Sequence, residues 1–122
     1  MDETYQVIDP GVSVADAEDV TFSFNGEHVS VHFIDWQEMP VHLVFENAVG
    51  CRWQAGDPHD ADGGRFDSAH IVENSRWLMH MKERGSAWDG PQWRHDRLNF
   101  NEVGTLDVLC SNLRTLPPQD TD

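Results

Sequence analysis

The chain has 122 residues, 39% of them hydrophobic and 10% aromatic, and carries 22 acidic side chains against eight basic ones for a formal net charge of -14. A domain of this size buries roughly two-thirds of the surface its unfolded chain exposes, so it needs no staple and is not globally disordered. The charge repels phosphate and anionic lipid, which disfavours nucleic-acid and membrane-surface partners and favours a basic one. The asymmetry is sharper than the total: residues 1–51 hold ten acidic residues and no Lys or Arg, giving -10, against -4 for the remainder.

In chain order, a short apolar run over residues 5–8 precedes the turn signal Asp9-Pro10-Gly11. Residues 20–24 read as a strand ending at Asn25-Gly26, the strongest hairpin signal in the sequence. Strands over 29–36 and 41–46 follow, joined by a turn through Met39-Pro40, and residues 49–53 continue or pair with the second of them. Residues 56–67 hold four Asp, three Gly and a Pro and read as a long exposed loop. A helix is expected over about 68–84, with Ser68 or Ser75 as N-cap, Trp77, Leu78 and Met81 as its apolar stripe and Gly85 at its end. A second loop over 86–93 carries Trp88 and Trp93, and a last hairpin joins 94–100 to 105–110. Short links imply antiparallel pairing. The expectation is therefore an α+β domain, a mostly antiparallel curved sheet of about six strands packed on one helix. It would occupy residues 1–116 as a single domain, with 117–122 a frayed polar tail.

The pair 29–36 and 41–46 admits a register argument. Alternation collects Val31, Phe33, Val41, Leu43 and Phe45 on one face and Ser30, His32, Ile34, Trp36, His42, Val44 and Glu46 on the other. In the expected register His32 lies opposite Glu46 and His42 opposite Trp36. The mixed face reads as a partly covered sheet surface, or as a recognition surface around Trp36. It also offers a metal alternative, His32, His42 and Glu46, with ligand types that suit zinc but no sequence-local spacing.

Other constellations are weaker. Asp60, Asp62 and Gly63 fit three positions of a calcium loop, but Pro58 and Ala69 occupy its first and twelfth positions, so the loop reads as solvated. Cys51 and Cys110 sit in apolar runs and read as buried free thiols, which favours core packing over nucleophilic chemistry and a reducing compartment over an oxidising one. The adjacency of His95 and Asp96 means little, since neighbours on a strand face opposite sides. Trp36, Trp53, Trp88 and Trp93 leave a sugar-stacking site as a minor alternative. No phosphate loop, serine elbow or Cys-x-x-Cys pair is present, so no reaction is named and no cofactor is implied. The start, Met1-Asp2-Glu3-Thr4, lacks the basic and apolar features of a secretory signal, and a cytoplasmic location is expected.

The ending RHDRLNFNEVGTLDVLCSNLRTL and the upstream VHLVFENAVGCRWQ resemble the closing hairpin and strand pair of small acidic bacterial immunity-type proteins found beside secreted polymorphic toxins. The resemblance covers about half the chain and rests on hydrophobic pattern. It implies a non-enzymatic protein that binds a partner by surface complementarity. With the acidic first half, it points to a receptor for a basic, nuclease-like toxin, met by Asp16, Glu18, Asp19, Glu27, Asp35 and Glu38, with Trp36 supplying apolar contact. The alternatives are a metal protein, a homodimer hiding the His32–Trp36 face, and a small-ligand or sugar binder.

Overall fold

The structure is a computed structural model and describes residues 3–8, 13–14, 16–55, 68–85, 92–100 and 103–116. Within them nine strands and one helix follow in the order β1 (Thr4–Ile8), β2 (Glu18–Phe24), β3 (Val29–Ile34), β4 (Pro40–Glu46), β5 (Gly50–Ala55), β6 (Ser68–Glu73), α1 (Arg76–Arg84), β7 (Arg94–Phe100), β8 (Gly104–Cys110) and β9 (Asn112–Leu116). The α+β class, the antiparallel pairing and the single helix agree with expectation. The strands number nine and divide into two sheets, one of five in the order β1-β6-β7-β8-β5 and one of four in the order β2-β3-β4-β9.

Alternation explains the core. Val29, Val31 and Phe33 of β3, with Val41, Leu43 and Phe45 of β4, turn one face of the four-stranded sheet inward. Leu98 and Phe100 of β7 and Leu106, Val108 and Cys110 of β8 answer from the five-stranded sheet. Phe33 meets Phe100 edge to face at 5.4 Å between centroids. Each fully buried large side chain here, such as Phe45 or Leu98, contributes about 1.5–3 kcal/mol of hydrophobic stabilisation.

The Asn25-Gly26 hairpin forms as the sequence implies. Gly26 takes φ +92°, and the Asn25 carboxamide oxygen accepts from the backbone N–H groups of Glu27 and His28 at 2.8 and 2.7 Å. Three expectations are corrected. Residues 68–73 are strand β6, not the first half of a helix: β-branched Ile71 and Val72 and the alternation of inward Ala69 with His70 and Val72 fit the edge of β7. The helix starts only after Asn74, which takes φ +57°, and Ser75 is its N-cap. Residues 50–55 leave β4 and pair with β8, crossing to the other sheet. Residues 112–116, beyond the expected last hairpin, form β9 against β4. The loop 56–67 with its calcium-like residues, Trp88, and the 117–122 tail lie outside the described residues.

The helix lies on the outer face of the five-stranded sheet. Trp77 stands edge-on over the His95 ring at 5.4 Å, with the Arg52 guanidinium 4.0 Å from its own ring. Gly50 makes room beneath it, since a Cβ there would meet Trp77 Cζ2 at 3.0 Å. Among the described residues no helix is long and apolar enough to cross a membrane.

Candidate functional site

The acidic residues are sorted by the strand ends that carry them. The turn from β3 to β4 is closed by Asp35, whose Oδ1 accepts from the N–H groups of Gln37 and Met39, both at 2.9 Å. Asp35 N–H donates to Met39 O, and Glu38, at φ +63°, donates to Asp35 O. This small frame holds two apolar side chains out in solvent, Trp36 at 58% exposure and Met39 at 51%. Glu18 of β2 pairs with Ile34 at the same end, and the register shifts between Glu18 and Thr21. Asp16 and Asp19 take φ +50° and +55° there, a conformation Asp tolerates better than most residues. Asp16, Glu18, Asp19 and Glu38 are all exposed.

Of the seven residues expected to face a partner, six therefore gather at this end. Asp35 is among them but spends its carboxylate on the turn. Glu27 is the exception. It sits in the β2–β3 hairpin turn, at the far end of β3, about 17 Å away by strand rise. Most ion pairs among the described residues lie away from the acidic first half. Among the described residues, Arg94 pairs with Asp96 and Arg97 with Asp107, all within the later half of the chain. One side-chain pair, Arg114 with Glu46 at 3.6 Å, reaches back to the earlier half.

The outer face of the four-stranded sheet corrects the expected register. His32 lies directly opposite His42, not Glu46, and their rings stack at 3.9 Å between centroids. Glu46 instead accepts from Asn112 Nδ2 at 2.9 Å beside Arg114. Among the described residues no three His, Cys, Asp or Glu side chains gather as a metal-holding group, so His32, His42 and Glu46 do not converge. Burial, the facing His32 and nearby Arg114 all push the His42 ring below its usual pKa.

A third constellation escaped the sequence reading. On the outer face of the five-stranded sheet, Ser75 Oγ lies 2.7 Å from His95 Nδ1, His95 Nε2 lies 2.6 Å from Asp107 Oδ1, and Arg97 Nε donates to the same oxygen at 2.8 Å. Burial works to raise the Asp107 pKa, but the His95 and Arg97 contacts outweigh it and hold the carboxyl below the usual range. An ionised carboxylate only accepts, so His95 Nε2 donates to Asp107, and the Ser75 hydroxyl closes the row at Nδ1. The three residue types are those of a hydrolytic triad, yet their chemistry is closed. Triads place the hydroxyl on Nε2 and the carboxylate on Nδ1, the reverse of this order. Ser75 is 3% exposed, and its oxygen also accepts from Leu78 N–H as the helix cap. The row pins the start of α1 to the sheet. Its signal was legible in the alternations His95-x-Arg97-x-Asn99 and Thr105-x-Asp107, which put five polar side chains on one face.

Asp96 faces the opposite way, toward Cys110, with burial raising its pKa against the bidentate grip of Arg94 at 2.6 and 2.7 Å. Burial, then the Asp96 charge, pushes the Cys110 thiol far up, and burial also raises Cys51; both cysteines are free thiols. Comparison of the chain with protein-family models, with curated proteins and with solved structures finds no match in any of the three.

Proposed function

We propose that this chain is a non-enzymatic, cytoplasmic binding protein of bacteria that inhibits a basic, nuclease-like protein toxin, in the manner of immunity-type proteins. The observation that carries the reading is the β3–β4 turn: Trp36 and Met39 stand exposed on a hydrogen-bonded frame, at the end of the sheet where Asp16, Glu18, Asp19 and Glu38 are also exposed. An aromatic anchor inside a charged rim is the composition of a protein interface. A nuclease must present cations to bind phosphate, and those cations are the complement of this rim. Long-range attraction speeds the encounter, and desolvation of Trp36 slows departure. The resemblance of the closing strands to immunity-type proteins supports the same assignment.

The test is association with a purified basic nuclease-toxin domain, taken from a neighbouring gene where one encodes it, followed by stopped-flow fluorescence. The rate constant is expected to fall steeply between about 0.02 and 0.5 M NaCl, where the screening length shrinks several-fold, while dissociation changes little. A rate indifferent to salt overturns the steering mechanism, and the absence of any complex overturns the assignment.

A further inference from the structure

Glu27, stranded from the other acidic residues, borders a cleft of about 370 Å³ lined by Gly26, Glu27, Asn47, Ala48, Val49, Gln92, Trp93 and Ser111. That volume lies within the range of about 300–1,000 Å³ typical of small-ligand sites. The cleft forms where the β2–β3, β4–β5 and β8–β9 turns meet the segment entering β7. Its walls are tied to one another. Ala48 N–H donates to Glu27 O at 2.6 Å, and Val49 N–H donates to Leu109 O at 2.9 Å. Asn47 Nδ2 donates to Ser111 Oγ at 2.9 Å, and Ser111 Oγ in turn donates to Glu46 O at 3.2 Å. Asn47, at φ +54°, is held by one amide N–H given to Ser111, with its carboxamide oxygen left as an acceptor. The cleft is thus built by cross-turn hydrogen bonds rather than by side chains lying against a surface.

Its charge is one-sided. The side chains offer a carboxylate at Glu27, carboxamides at Asn47 and Gln92 and an indole at Trp93, and no Lys or Arg. A neutral saccharide would leave the Glu27 carboxylate without a counter-charge. A guanidinium presents five donors and no acceptor, lies flat on an indole, and pairs in a fork with a carboxylate.

We propose that this cleft binds an arginine side chain of a protein partner, with the guanidinium stacked on Trp93, paired with Glu27 and capped by the Asn47 and Gln92 amide oxygens. The inference rests on the basic-partner reading for what supplies the arginine, and it gives that partner a second anchor about one strand length from Trp36. Two anchors at that separation fix orientation as well as affinity, since a partner must present both at once.

The cleft can be tested on the isolated protein with Nα-acetyl-arginine amide, read by ¹⁵N–¹H spectra. The expected result is saturable shifts at the Trp93 indole N–H and at the backbone amides of Gly26, Glu27, Ala48 and Val49, with the Trp36 indole unmoved and a dissociation constant on the order of 1–10 mM. The neutral isostere Nα-acetyl-citrulline amide and the Glu27→Gln protein should each bind about tenfold or more weakly. Equal binding of arginine and citrulline amides, no saturation by about 0.1 M, or shifts of the same signals by maltose in place of arginine would overturn the assignment. The two readings fail separately: Trp36→Ala leaves arginine-amide binding intact, whereas Glu27→Gln weakens it about tenfold or more without touching the Trp36 end.

Discussion

The two sheets invert each other's surface logic. The five-stranded sheet buries ionisable groups on its outer face, where Ser75, His95, Asp107 and Arg97 satisfy one another beneath Trp77. The four-stranded sheet does the opposite and exposes apolar groups, Trp36 and Met39, at the end where its acidic residues collect. Buried charge is tolerated only where hydrogen bonds replace water, and so it ties structure together. Exposed aromatic surface gains nothing in the free protein and gains much when a partner covers it. Buried polar ties therefore lie on one sheet and the proposed recognition surface on the other, across a shared core.

Removing the shared acceptor is the largest expected blow to this division. Asp107→Ala leaves His95 and Arg97 without their partner in a buried setting, and should cost about 3–5 kcal/mol of unfolding free energy. Urea denaturation followed by tryptophan fluorescence measures it. The charge-neutral Asp107→Asn should cost less, because it keeps an acceptor oxygen. If the loss were below about 0.5 kcal/mol, the row would be ornament on an already stable sheet and the comparison would collapse.

The reciprocal change lies at the other sheet. Trp36→Ala should leave unfolding free energy within about 0.5 kcal/mol of the parent, since the ring buries little in the free chain. Its affinity for the toxin domain should fall by about 2 kcal/mol or more, roughly thirtyfold, mostly in the dissociation rate. Calorimetric titration of the variant beside its urea curve separates the two effects. A variant that unfolds early but binds normally would place Trp36 among the structural residues.

Much of this architecture could be read from the chain. The faces of β3 and β4 and the Asn25-Gly26 turn follow from alternation and turn chemistry. The register itself did not. His32 was matched with Glu46 and is found opposite His42, a slip of four residues; an even slip preserves every face, so burial cannot expose the error. Strand β5 shows why sheet membership is harder still. Its pattern says which side chains are buried but not which edge they bury against, and only the β8 edge completes the core around Trp53 and Cys51. Residues 68–73 read as helix from sequence because a short segment before a genuine N-cap carries little period of its own. Asn74, at φ +57°, is the break between them. The residues of the acidic end are legible one by one, but linear charge density groups Glu27 with them because it ignores that one strand has two ends.

Acid should take the two sheets apart in separate pH windows, the smallest effect and the most discriminating. His42 faces His32 on β3 and Arg114 on β9, and with burial foremost its folded pKa lies below the ordinary 6.5. Below that value the unfolded chain binds more protons at this position than the folded one. The His42 contribution is thus complete above about pH 6.5 and is lost as pH falls from there through the lowered folded value. Asp107 also has a depressed pKa, but as a carboxyl it starts from 3.8, so its contribution persists through the histidine window and is lost only in stronger acid. Asp96, raised by burial, pulls the other way, which is why the comparison must be a difference between proteins. Unfolding free energy measured from about pH 7.5 to 5 should decline more steeply for the parent than for His42→Gln. Identical slopes for parent and His42→Gln would show that the stacked pair carries no proton linkage.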